Sequence, residues 1–116
     1  DPTSGRVNRR SFVSRVGHRI ELLDTRTGPS GVRLASGDER LEVRLDERNE
    51  QIDITLRGAG RAALSSVTLT ERGITIDAGT GELTLRGRSV SVAGTTGIQL
   101  DGGAQAVLRG RVVRIN

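Results

Sequence analysis

Chemistry in this chain would have to begin at His18, its one histidine. His18 follows Gly17 and precedes an apolar, alternating stretch. A histidine acting as a base needs a nucleophile and an orienting partner in reach, and the sequence offers no recognisable set of that kind. It therefore reads as a structural residue. Asp46, Asp53, Asp77 and Asp101 are the next candidates. Paired carboxylates that hydrolyse a glycoside must share one cleft, and stacked short strands provide none, so these four read as outward-facing, solvating groups. Thr68, Thr75, Thr84 and Ser91 lie between apolar residues and read as outer-face strand formers rather than nucleophiles. Gly102-Gly103 would cradle phosphate only beside a helix N-terminus, and no helix is expected. With no cysteine there is no disulfide framework and no thiolate metal site. The expectation is a protein that is not an enzyme, without catalytic, cofactor-binding or metal-binding residues.

The charge pattern narrows the partners. All 18 basic residues are arginine, yet the net charge is only +4 because acidic residues are interspersed. A local excess falls at Arg6, Arg9, Arg10, Arg15 and Arg19. Arg9 and Arg10 read either as a solvated arm or as partners for acidic groups of a neighbouring chain. Binding of nucleic acid wants a basic face with stacking aromatics. Phe12 is the one aromatic, so no nucleic-acid partner is expected. No apolar run approaches 18 residues and there is no signal-peptide core. Apolar residues make up 34% of the chain, so any core is built from small and β-branched side chains.

What positions these residues is a ladder. Val67-Thr68-Leu69, Ile74-Thr75-Ile76, Leu83-Thr84-Leu85, Val90-Ser91-Val92, Ile98-Gln99-Leu100, Ala106-Val107-Leu108 and Val113-Arg114-Ile115 repeat one motif. Their starts step by 7, 9, 7, 8, 8 and 7 residues, an internal repeat of about eight. Each unit alternates with period two, the mark of a strand. Glycines fall in the polar stretches between them, as turns require. Residues 1–13 read as an N-terminal arm or linker, 14–31 as entry strands and a loop around Gly28-Pro29-Ser30-Gly31, and 32–116 as a β-helical region whose eight-residue ladder begins at Val67. Leu41-Glu42-Val43-Arg44-Leu45 and Ile52-Asp53-Ile54-Thr55-Leu56 are longer strands, with three apolar positions each. Between Arg57 and Ser66 the pattern blurs, and a weak rung and a loop both fit.

A unit of eight residues cannot bury its apolar face alone and must stack on neighbours. One chain coiling as a single-stranded β-helix is one solution. Three chains winding together, each supplying one side of every layer, is the other. The second is favoured, because two small apolar residues per rung suit a narrow triangular core. No capping segment is visible after the last rung in this sequence, and an uncapped solenoid end would expose unpaired edges. The expected fold is an all-β, intertwined triple-stranded β-helix (β-prism) formed by a homotrimer. Its expected core is Val67, Leu69, Ile74, Ile76, Leu83, Leu85, Val90, Val92, Ile98, Leu100, Leu108, Val113 and Ile115.

The segment Ser14-Arg15-Val16-Gly17-His18-Arg19-Ile20-Glu21-Leu22-Leu23-Asp24 resembles the entry into the needle of contractile-injection-system spikes, the VgrG and phage baseplate V-type proteins. The close Leu108-Arg109-Gly110-Arg111-Val112-Val113-Arg114-Ile115-Asn116 is similar to that family's last rung. The resemblance covers about residues 8–116. It implies a structural, membrane-puncturing spike of a phage tail-like particle, of the kind also used in type VI secretion. It implies a PAAR-repeat tip protein seated on Val113, Arg114, Ile115 and Asn116. Tail-tube and baseplate proteins would join through an N-terminal hub that lies upstream, making this chain a fragment. Assembly would take place in the bacterial cytoplasm, with action at the target cell envelope and transient membrane contact. A self-made iron apex is not expected, since His18 lies near the opposite end. The competing expectation is a single-chain β-helix scaffold or filament, similar to bactofilins. A glycan-binding or glycan-cleaving solenoid comes third, for want of aromatic platforms and clustered acids.

Overall fold

A computed structural model describes residues 9–115. Asn116 and Arg6 lie outside the described residues. The described chain is all-β, without a helix, and divides into two units between Thr84 and Leu85.

The first unit is one open antiparallel sheet of seven strands in sequence order. These are β1 (Arg9–Val13), β2 (Arg19–Asp24), β3 (Ser30–Ala35), β4 (Leu41–Asp46), β5 (Gln51–Arg57), β6 (Ala63–Thr70) and β7 (Gly73–Asp77). Strand β1 occupies part of the stretch that reads as an arm. The blurred stretch resolves into a turn after Arg57 and the start of β6 at Ala63, with a register irregularity at Leu56/Arg57. The ladder's first two units, at Val67 and Ile74, belong to this sheet through β6 and β7. The change of regime therefore comes after Asp77, not at Val67.

The sheet has a period of its own. The turns 36–39, 47–50 and 58–61 recur every 11 residues, and in each the last residue's N–H donates to the first residue's carbonyl, at 2.9, 3.2 and 2.9 Å. A like turn, Gly17 N–H to Ser14 carbonyl at 3.0 Å, joins β1 to β2. The last position of such a turn lies in the left-handed region that glycine enters freely. Gly17 fills it at φ 92°, but Glu39 (60°), Glu50 (52°) and Arg61 (72°) fill the others. Gly31 answers a different need. A Cβ there would stand 1.9 Å from the Leu45 carbonyl oxygen, on a backbone at φ 141°.

Register sorts the side chains onto two faces, because successive residues of a strand point to opposite sides. One row runs Phe12, Ile20, Leu34, Val43, Ile54, Val67, Ile76 across all seven strands. A second runs Leu22, Val32, Leu45, Ile52, Leu69, Ile74 from β2 to β7. The other face carries Glu21, Arg33, Arg44, Asp53, Thr68, Thr75 in one row and Arg19, Ala35, Glu42, Thr55, Ser66, Asp77 in the next.

The second unit, Leu85 to Ile115, contains no strand. Its local order comes from turns: Gly103 N–H donates to the Asp101 carboxylate at 2.9 Å, and Gln105 N–H to the Gly102 carbonyl at 3.1 Å. The rungs expected to be strands here form no backbone ladder on their own chain. An extended rung makes none without a neighbour at strand distance.

Candidate functional site

Burial on the sheet is the reverse of what a self-contained domain shows. The charged face is the covered one. Glu21 is 1% exposed and Ala35 7%, both on that face. The apolar rows lie open: Ile20, Ile54, Ile76 and Phe12 are 47%, 46%, 53% and 65% exposed. Together the rows form a trough, part of which is lined by Leu41, Val43, Ile54, Leu56, Val67, Ile76 and Leu83. Monomeric soluble proteins rarely leave so continuous an apolar surface open, and one rimmed by polar residues marks a contact site.

The charged face needs no partner. The Arg33 guanidinium donates through Nη1 to Glu21 Oε1 at 2.6 Å and through Nε to Glu42. Arg57 Nη2 donates to the other Glu42 oxygen at 3.1 Å. Glu39 then takes Arg61 at 3.1 Å and lies 3.7 Å from Arg33. Each Glu42 oxygen thus has its own cation. Burial alone would raise the Glu42 carboxyl, but the hydrogen bonds from Arg33 and Arg57 outweigh it and hold it below its ordinary value. The Glu39 carboxyl is lowered by the Arg61 hydrogen bond and then by the Arg33 charge. Arg33 is raised, above all by its hydrogen bond to Glu42. Among the described residues no buried side-chain polar atom lacks a hydrogen bond.

The residues singled out as candidates for chemistry make contacts that fasten turns and strands. His18 Nδ1 accepts the Gly37 N–H at 3.0 Å, tying the β1–β2 turn to the β3–β4 turn, and the His18 N–H donates to Ser14 Oγ at 3.0 Å. Asp53 accepts from Gln51 and Thr68 on the polar face. Asp46 accepts from Asn49, Asp77 from the Gly79 N–H and Asp101 from the Gly103 N–H, so all three fasten turns. Thr68 and Thr75 share the polar face with Asp53. No group of three acidic or histidine side chains suited to a metal occurs among the described residues.

The expected core residues fall in two sets. Val67, Leu69, Ile74 and Ile76 join the open apolar face of the sheet. Leu83 lines the trough just described. Leu85, Val90, Val92, Ile98, Leu100, Leu108, Val113 and Ile115 are exposed in the second unit, Leu100 at 90% and Ile115 at 87%. Val113, Arg114 and Ile115 are exposed and outside any strand. Sequence reading missed the Glu21–Arg33–Glu42–Arg57 lattice. Its signal was Glu21, Arg33 and Glu42 on the polar positions of three consecutive strands, at spacings of 12 and 9 residues.

No known protein family matches the chain, and no curated protein matches it.

Proposed function

We propose that this chain is the needle segment of the central spike of a contractile injection system, working as an intertwined homotrimer. One observation carries the reading. One apolar row crosses all seven strands, a second crosses six, and both stay open, while the charged face is closed by its own ion pairs. Three such sheets turned inward enclose a triangular apolar prism and leave the charged faces to water. The exposed rungs after Asp77 fit the same plan, with two further copies supplying backbone partners and the rest of each apolar layer. Ladders running between chains and layers packed to interior density resist bending and unfold slowly, which is the mechanical requirement of a puncturing rod.

A single-chain β-helix scaffold fits less well. It stacks its own turns, whereas here the sheet is antiparallel and the later rungs form no strand on their own chain. In the spike, a PAAR-repeat tip protein sits on the end formed by Val113, Arg114, Ile115 and Asn116, the hub joins tail-tube and baseplate proteins, and the rod touches the target envelope in passing. Native mass spectrometry with a purified PAAR-repeat protein tests this. The reading expects three chains per tip protein, lost with Ile115→Asp. A chain that binds no tip protein and has a single-chain mass contradicts it.

A further inference from the structure

The open apolar face asks for copies of itself, and the sheet's two turn margins say how those copies meet. The β1–β2, β3–β4 and β5–β6 turns, with the strand residue on either side of each, form one margin. It carries Arg15, Arg19, Arg40, Arg57 and Arg61 against two acids, Asp38 and Glu39. The other three turns, counted the same way, carry Asp24, Asp46, Glu47, Glu50 and Glu71 against three arginines. One of those three, Arg48, is engaged with the carbonyls of Gly28 and Thr25 at 2.7 and 2.8 Å. On the first margin Arg61 holds Glu39 at 3.1 Å and Arg57 holds Glu42 at 3.1 Å, so it is the excess of one sign, not an unpaired cation, that makes one margin net basic and the other net acidic.

The heights of the turns also match. Because the strands follow one another in order, the β5–β6 turn with Arg61 stands at a level between the β4–β5 turn with Glu50 and the β6–β7 turn with Glu71, on the opposite side of the sheet. The Glu50 and Glu71 side chains lie within hydrogen-bonding reach of each other, and neither makes an ion pair among the described residues. Two carboxyls held together on a surface repel unless a shared proton or a cation joins them. Glu50 and Arg61 both occupy left-handed turn positions, a cost that surrounding structure must sustain.

We infer that copies of this chain join head to tail, the margin bearing Arg61 on one copy seating against the margin bearing Glu50 and Glu71 on the next. The inference rests on the trimeric reading above and adds its corners. A cyclic, heterologous contact of this kind closes into a ring, and in a ring of three each corner brings one basic and one acidic margin together. Such complementarity fixes the relative height of the chains, because a slip by one hairpin sets Arg61 against a turn with different charges.

Sedimentation of the full chain across a range of salt tests it, with Arg61→Glu, with the double variant Glu50→Arg/Glu71→Arg, and with all three changes together. Each reversal puts like charges at every corner, so the trimer should dissociate at a concentration at least tenfold higher at low salt. The difference should shrink as salt rises. The combined variant restores opposite charges and should return most of the loss, which a merely structural role of Arg61 would not allow. Circular dichroism of each variant checks that the sheet persists. A trimeric wild type whose charge-reversed variants assemble as well as it does, or a combined variant as weak as either parent, overturns the corner pairing alone. A wild type that stays monomeric overturns the trimer and the corners together.

Discussion

The two regions of this chain meet the same requirement by different means. In both, apolar residues alternate with polar ones, and in both the apolar residues are left exposed on a single chain. From Arg9 to Asp77 every strand has a backbone neighbour on its own chain. From Leu85 to Ile115 the chain makes no strand at all. The spacing accounts for the contrast. An 11-residue unit has room for a strand of six or so residues and a four-residue turn that folds it back on the previous strand. An eight-residue rung lacks that length and has nothing to fold back on. In the proposed trimer the sheet pre-forms its backbone bonds and needs other copies only for its apolar face, whereas the later rungs need them for both.

The largest effect should come from placing charge on the shared apolar face. Ile76→Asp would set three carboxylates in one layer of the proposed trimer, and unpaired buried charge is severely costly. Assembly is expected to be lost, while the monomer keeps the circular dichroism of a sheet, because β7 is only the last of the seven strands. A stable trimer of this variant would refute the division into faces. Next comes removal of residues 85–116. The remaining chain should retain most of its strand signal, whereas the isolated 85–116 peptide should show none. A peptide that forms β structure by itself at low concentration would erase the distinction between the regions.

A smaller loss is expected at the ion lattice. Glu42→Ala strands the guanidinium groups of Arg33 and Arg57 on a half-covered face, and should cost about 2–4 kcal/mol in denaturant unfolding. Glu39→Ala removes ion pairs at a more exposed site and should cost distinctly less. Equal losses at the two positions would contradict the burial described for this face.

The same lattice sets a pH dependence. The Glu42 and Glu39 carboxyls lie below their ordinary values in the fold. Their contribution is therefore present above the unfolded value, about 4.3, and is lost as pH falls through the lower folded values. Glu50 runs the other way on a single chain, since its hydrogen bond to Glu71 raises it. Its protonation stabilises the fold as pH falls through that raised value. Thermal unfolding between neutral pH and about pH 3 should show a net loss at the acid end, reduced in Glu42→Ala. Stability that does not change over that range would mean the lattice contributes nothing.

Much of the sheet was legible because period-two alternation in Leu41–Leu45 and Ile52–Leu56 is a local signal that register then extends to whole rows. The 11-residue period was hidden because Glu39, Glu50 and Arg61 stand where glycine would have marked the turn. The boundary after Asp77 was hidden too, since Val67-Thr68-Leu69 and Val90-Ser91-Val92 look alike along the chain and differ only in whether hairpin turns flank them. The charged lattice was missed for another reason. Glu21, Arg33 and Glu42 are solvating groups by residue type and become a network only when three strands lie side by side. His18 stands beside the Gly17 turn in the sequence, but its bond to the Gly37 N–H depends on two turns meeting at one margin.

The most direct measurement is the mass of the full chain in dilute solution by sedimentation equilibrium. Three intertwined copies predict three times 12.4 kDa, about 37 kDa, held without change down to low concentration. A folded species of 12.4 kDa with protected amides in residues 85–115 would contradict the account.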